Sequence, residues 1–149
     1  MVALPTEAGA MRGCAGEDGP AAVEKLWSAS FKVARVEGGD PVSAWGQHLA
    51  NLKAHRDWMN AMEFAALRLK SANGTDLEVG LADGHLWGGG ESLSAGGVSF
   101  LPNIPTEEVF TAPHRLRTNG GVKSSMPYVY HGNLIEGMTE RFNAGEAVE

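Results

Sequence analysis

Cysteine occurs once in the 149 residues, at Cys14, so the chain has no internal disulfide to staple it and must rely on packing. Long apolar runs are missing as well. None approaches the ~20 residues that a membrane helix requires, which excludes a spanning helix. Basic residues are scarce: twelve Lys and Arg against eighteen Asp and Glu leave a net charge of −6. The basic residues are also scattered, so a nucleic-acid backbone would be repelled. The opening MVALPTEAGA has neither the basic segment nor the apolar stretch of a signal peptide, and a cytoplasmic location is the expectation. Short-spaced metal signatures are absent too: there are no cysteine pairs, and no histidines one helical turn apart with a glutamate between them.

Glycine, in contrast, is abundant. Its 20 positions cluster at Gly9 to Gly19, Gly84 to Gly97 and Gly120 to Gly121, and all three clusters read as loops. With 43% hydrophobic and 20% charged residues, the composition is that of one globular domain. Helical spacing starts after the first cluster. Val23, Leu26, Trp27, Phe31 and Ala34 recur at threes and fours, which predicts a helix from about Pro20 to Arg35 with this stripe on the core. Asp40 before Pro41 is an N-cap followed by proline at the first helical position. A second helix is expected from there to about Met62, with Trp45, Leu49, Leu52, Met59 and Met62 on one face.

From Ala66 the period changes to two. Leu67 and Leu69 alternate with Arg68 and Lys70, Asn73-Gly74 supplies a turn, and Leu77, Val79 and Leu81 alternate on the way back. His85 to Trp87 and Val98 to Leu101 read as short strands. A meander follows: Tyr128 to His131, Leu134 to Phe142, and a closing strand after Asn143-Ala144-Gly145. The whole reads as a single α+β domain, helical over about residues 20–62 and β-rich over about residues 66–149.

Few residues stand out as chemistry. His48 and His55 lie seven apart on the second helix, roughly 10 Å along its axis, too far to share one metal. Cys14 has no identifiable base partner, which makes it a weak nucleophile candidate. Gly88-Gly89-Gly90 lacks the lysine and hydroxyl of a phosphate-binding loop. Tyr128 and Tyr130 share one strand face, where packing is the usual outcome. The segment NIPTEEVFTAPH, Asn103 to His114, is different in kind. Glu107 and Glu108 are adjacent, so in an extended segment they point to opposite sides, and one can face inward. An inward glutamate beside Val109 and Phe110 requires a cation, hydrogen-bond donors or a raised pKa, and a divalent metal would serve. Read from the residues alone, a solvated Glu-Glu loop is the more ordinary outcome. His114 is either a second ligand or an element terminator.

Taken together, GTDLEVGL at Gly74 to Leu81, GHLWGGG at Gly84 to Gly90, PNIPTEEVFTAPH at Pro102 to His114 and GNLIEG at Gly132 to Gly137 resemble the thermophilic-type metalloaminopeptidases, the family of aminopeptidase T and aminopeptidase S. The resemblance runs from VALPTEA at Val2 to Val148. It implies cytoplasmic homodimers that remove N-terminal amino acids from peptide substrates with a pair of divalent metal ions, cobalt or zinc. In the family's motif the second glutamate of the Thr-Glu-Glu triplet is a metal ligand, which is Glu108 here. The family's remaining ligands lie beyond the part matched by this chain, and His114, His131, Tyr128 and Tyr130 do not occupy their motifs. The expectation is therefore an internal fragment of a larger α/β metallopeptidase that is inactive by itself. The alternative is a non-catalytic α+β interaction or scaffold domain derived from that family.

Overall fold

The computed structural model of the protein describes residues 5–14, 16 and 19–148. Residues 2–4 of the VALPTEA segment lie outside that range. Among the described residues the elements are three helices, α1 (Glu7–Gly13), α2 (Gly19–Val33) and α3 (Pro41–Met62), followed by nine strands. The strands are β1 (Ala66–Lys70), β2 (Asp76–Leu81), β3 (Ser92–Leu93), β4 (Ser99–Phe100), β5 (Pro113–Lys123), β6 (Tyr128–Tyr130), β7 (Asn133–Ile135), β8 (Thr139–Asn143) and β9 (Glu146–Ala147). All strand pairings are antiparallel, so the chain is α+β, as its pattern predicts. Among the described residues no helix is long and apolar enough to cross a membrane.

The chain divides into two compact units. The first holds residues 1–57 and 89–109: α1, α2, α3 as far as Asp57, the β3–β4 hairpin and the segment up to Val109. Its α1 overturns the expectation of a loop over Gly9 to Gly13, the first part of the Gly9 to Gly19 cluster. Thr6 caps the helix by accepting a hydrogen bond from the Gly9 amide at 3.2 Å, and Glu7 in the first turn with Arg12 in the last complements the helix dipole. These end signals outweigh the glycine content. Small residues then allow close packing: Ala10 and Ala22 are fully buried, and with Cys14 they form a cluster against Val23 and Leu26. Cys14 is accordingly a buried free thiol in a helix–helix contact. At α3 the Asp40 carboxylate accepts from the Ser43 amide at 3.0 Å, the capping bond expected of it and worth about 1 kcal/mol.

The second unit holds residues 58–88 and 110–149. Its sheet runs in the order β1-β2-β5-β8-β9. The β1–β2 hairpin has the expected register, Leu69 opposite Leu77 and Leu67 opposite Val79, and it buries Leu77 and Leu81. Burying such a leucine contributes about 1.5–3 kcal/mol. The long strand β5 lies at the centre of the sheet and corrects the reading of Gly120-Gly121 as a loop. Gly120 has φ +108°, and a Cβ there would fall 2.2 Å from the Asp76 carbonyl oxygen. The glycine is present because β2 and β5 approach closely, and its strand lacks the apolar alternation that marks the others.

Two further corrections have local causes. His85 to Trp87 is not a strand, because its polar groups are used elsewhere. The Asn60 side chain accepts from the Trp87 amide at 2.8 Å and donates to the Trp87 carbonyl at 3.2 Å, while the His85 amide closes a turn onto Ala82. Pairing begins one residue later, where Gly88 exchanges both backbone hydrogen bonds with Phe110. The expected strand from Leu134 to Phe142 is two strands, β7 and β8, interrupted at Gly137, which has φ +62°. The β6–β7 hairpin leaves Val129, Tyr130 and Leu134 largely exposed, with Tyr128 only partly covered, so the tyrosine pair does not pack into a core.

Gly120→Ala combines backbone strain with a carbonyl clash and is expected to destabilise the chain by roughly 2–3 kcal/mol. Gly132→Ala, also at positive φ but with nothing within 4 Å of the added methyl, carries strain alone and should cost about 1 kcal/mol. Urea-unfolding midpoints of the two variants check the difference; equal midpoints would remove the close-approach account of β5.

Candidate metal-ligand segment

Residues 102–109 of the first unit carry the motif, and two helices of the same unit hold it in place. Helix α2 ends at Val33, and Arg35 just beyond it adopts the left-handed conformation at φ +55°. Arg35 reaches Glu107, 72 residues away in sequence, and makes a two-pronged ion pair with it: Nη1 donates to Oε1, and Nη2 donates to Oε2 at 2.8 Å. The guanidinium is itself supported. Its Nη1 also meets the Val33 carbonyl at 3.3 Å, and its carbon lies 5.5 Å from the centre of the Trp45 ring. Trp45 is fixed in turn by its Nε1, which donates to the Ala34 carbonyl at 2.8 Å.

His48, one turn along α3 from Trp45, holds the residue before the pair. Its Nε2 lies 2.6 Å from the Thr106 carbonyl oxygen, so that nitrogen carries a proton and donates. The same nitrogen is 3.5 Å from Glu107 Oε2, and the ring stands edge-on to Trp45 at 5.6 Å. On the far side, Gly89 has φ +138°, and a Cβ there would be 2.5 Å from the Glu108 carbonyl oxygen. The glycine run at Gly88 to Gly90 therefore makes room for the backbone of the motif, consistent with its lack of phosphate-loop character.

The two glutamates have unlike surroundings. Hydrogen bonding from Arg35 holds the Glu107 carboxyl below the usual carboxylate range, assisted by the charges of Arg35 and His48 and opposed by partial loss of hydration. Its side chain is 54% exposed, so this is a solvated fork and not a buried ion. Glu108 is exposed, and among the described residues its carboxylate has no hydrogen-bond or ion-pair partner. The expected division into one inward and one solvent-facing glutamate is not present: both are exposed, and they differ in that Glu107 is paired with Arg35.

The remaining candidates stand apart from this constellation. His55 is exposed on α3. His114 is part of β5, where its Nδ1 accepts from the Leu116 amide at 3.2 Å, and Tyr130 stacks edge-on against His131 at 4.3 Å. A cavity of about 390 Å³ in the second unit is lined by residues that include Asn60, Phe64, His85 and an Arg117–Asp83 ion pair. Among the described residues no three His, Cys, Asp or Glu side chains converge to hold a metal ion. The donor set among the described residues therefore does not fit a whole metal site. Sequence reasoning missed Arg35, Trp45, His48 and Gly89. Only Gly89 carried a signal, its place in a glycine run of no recognisable nucleotide type.

Comparison with known proteins agrees with the resemblance carried by the motifs. The sequence model of the thermophilic metalloprotease family M29 matches residues 1–149. Aminopeptidase T of Thermus thermophilus is 49% identical over 128 residues, which is 86% of this chain and 31% of that protein. Aminopeptidase 2 of Geobacillus stearothermophilus is 40% identical over 149 residues, all of this chain and 36% of that protein. The solved structure of wild-type AmpT from Thermus thermophilus aligns with a TM-score of 0.77 at 47% identity, covering 86% of this chain and 30% of that one. The chain thus spans about a third of the length of the relatives it matches.

The lowered Glu107 value sets a pH dependence with a definite sign. Ion pairing to Arg35 contributes stability that is full above the unfolded glutamate value, about 4.3, and is lost as pH falls through the lower folded value. Arg35→Gln should move the Glu107 titration midpoint upward, toward the ordinary value. Carboxyl-carbon NMR titration of both proteins measures it, and coincident curves would dissolve the pair.

Proposed function

Because this chain belongs to the thermophilic metalloprotease family M29, we propose that it is part of a metal-dependent aminopeptidase in which Glu108 is one ligand of the metal site. The relatives are named aminopeptidases, and the family is one of metalloproteases, so a metal cofactor comes with membership. The observation that carries the assignment is the unequal treatment of two adjacent carboxylates: Glu107 is neutralised by Arg35, and Glu108 is left free and exposed. A metal supplies Lewis acidity for attack of water on a peptide carbonyl, and it needs about four or more ligands to be held. One carboxylate does not meet that need, so the other donors come from sequence beyond the third of the enzyme represented here. The proposal extends to a pair of cobalt or zinc ions, N-terminal residues of peptides as substrate, a homodimeric enzyme and a cytoplasmic location.

A second reading, a scaffold or interaction domain without catalysis, is favoured by one feature. The β6–β7 hairpin and Met126 before it expose Val129, Tyr130 and Leu134 to solvent, more apolar surface than a self-sufficient hairpin presents. The same surface is equally suited to packing against the remainder of an enzyme.

The isolated chain with cobalt added should not hydrolyse leucyl-p-nitroanilide. Exchanged for the corresponding third of aminopeptidase T from Thermus thermophilus, it should support hydrolysis, and Glu108→Gln in that chimera should lower the rate by about a hundredfold or more. Hydrolysis by the isolated chain that disappears in Glu108→Gln would show that the site is complete without other donors. A fully active Glu108→Gln chimera would end the ligand assignment.

A further inference from the structure

Asn-Gly occurs twice in the chain, at Asn73-Gly74 and Asn119-Gly120, and the two pairs stand in opposite settings. Glycine leaves its own backbone nitrogen unhindered, so that nitrogen can attack the side-chain carbonyl carbon of a preceding asparagine wherever the backbone is free to turn. The first pair lies in the exposed turn between β1 and β2. There the Gly74 amide donates to the Ser71 carbonyl at 3.2 Å, at the long end of the usual range, and Gly74 has φ +103°. Asn73 Oδ1 accepts from the Thr75 amide at 3.1 Å and from the Ser71 hydroxyl, two donors that polarise the carbonyl and steady charge developing on its oxygen. The second pair lies in β5, where Gly120 is opposite both Leu77 of β2 and Phe142 of β8. Turning that nitrogen onto Asn119 breaks pairing on two sides, whereas at Gly74 a turn at the end of a hairpin has to open, a far less costly event. The Asn73 carboxamide also has a structural task. Its Nδ2 donates to the Lys123 carbonyl at 2.8 Å, and the Lys123 amide donates to the Thr75 hydroxyl at 3.0 Å, so the turn is latched to the end of β5.

We propose that Asn73 is a self-modification site: it deamidates through Gly74, and the product unlatches the β1–β2 turn from β5. A solvent base takes the Gly74 amide proton, the nitrogen bonds to Asn73 Cγ, and the side-chain nitrogen leaves with a proton as ammonia. Water then opens the cyclic imide at either carbonyl and leaves aspartate or isoaspartate at position 73, one carboxamide exchanged for one carboxylate. Neither product carries the Nδ2 donor. In the aspartate product the oxygen that replaces Nδ2 meets the Lys123 carbonyl oxygen, a contact of two acceptors. Isoaspartate in addition lengthens the backbone by a carbon inside the turn. The inference is independent of the reading of Glu108 as a ligand.

To test this, the whole chain is held in mildly alkaline buffer, and samples taken over days are digested with trypsin. Cleavage after Lys and Arg places the two pairs in separate peptides, 71–115 and 118–123. Mass spectrometry measures the amide-to-acid conversion in each, and fragmentation assigns its position. In the native chain Asn73 should convert about tenfold faster than Asn119 or more, as expected when one site opens locally and the other opens with the sheet. In urea, where neither setting exists, the two rates should converge. Equal native rates, or Asn119 ahead of Asn73, overturn the proposal. So does a native chain that converts at neither position while the urea sample converts at both. The unlatching is measured on N73D by amide hydrogen exchange: Lys123 should exchange faster than in the wild type, and the melting temperature should fall. Lys123 exchange unchanged in N73D overturns the claim that the product releases the turn. Should N73D fail to fold, the aged wild-type fraction, separated by its added negative charge, is measured in the same way and decides.

Discussion

The arrangement of the motif depends on one ion pair, the fork from Arg35 to Glu107. It joins the end of α2 to an otherwise irregular segment with two prolines, which has almost no regular backbone pairing of its own. Without the fork, the contacts described for the segment are the His48 bond to Thr106, the approach of the same His48 nitrogen to Glu107 at 3.5 Å and the contact over Gly89. The bond to Thr106 and the contact over Gly89 act on carbonyl groups, so they fix the path of the backbone without choosing between the two glutamates. The guanidinium dominates that choice, because it matches a carboxylate in shape and charge and occupies both oxygens of Glu107.

Support for that arginine is layered in a way that follows from ordinary packing. Trp45 was expected on the core face of α3; it is half-buried and lies against the end of α2. Its ring also sits beneath the Arg35 guanidinium, and its indole nitrogen satisfies the Ala34 carbonyl exposed where α2 ends. A helix terminus leaves such carbonyls without intrahelical partners, and the indole supplies one. Trp45 thus serves the end of α2 and a charged side chain at once. His48, one turn farther on, contributes through the same face.

Most of the fold was legible where periodicity was strong. Helices α2 and α3 and the β1–β2 hairpin repeat apolar residues at regular steps and carry a cap or turn residue at their ends, and their bounds follow from those features. Two of the misreadings concern glycine. At Gly9 and Gly13 it occurs inside or at the end of a helix whose capping threonine and buried alanines decide the outcome. At Gly120 it occurs within the central strand, because the neighbouring strand leaves no space for a side chain. A count of glycines does not distinguish a flexible loop from a tight contact between strands, since both exclude Cβ for different reasons. In the motif the adjacency of Glu107 and Glu108 was enough to expect different surroundings for the two. The identity of the partner was not accessible, as Arg35 lies 72 residues upstream and no local pattern links them.

The inverse of the usual burial argument explains why an exposed carboxylate is a good candidate ligand here. A glutamate buried without a partner is costly, and burial alone would have required the metal to be present for the chain to fold. Glu108 is exposed, so the fold carries no such penalty, and its carboxylate is accessible with no metal present. Its neighbour shows the opposite solution, a carboxylate permanently neutralised from within the same unit. One segment therefore presents a paired carboxylate and an unpaired one on successive residues. Under the proposed reading of Glu108 as a ligand, that arrangement lets the segment fold around its own anchor with no metal bound.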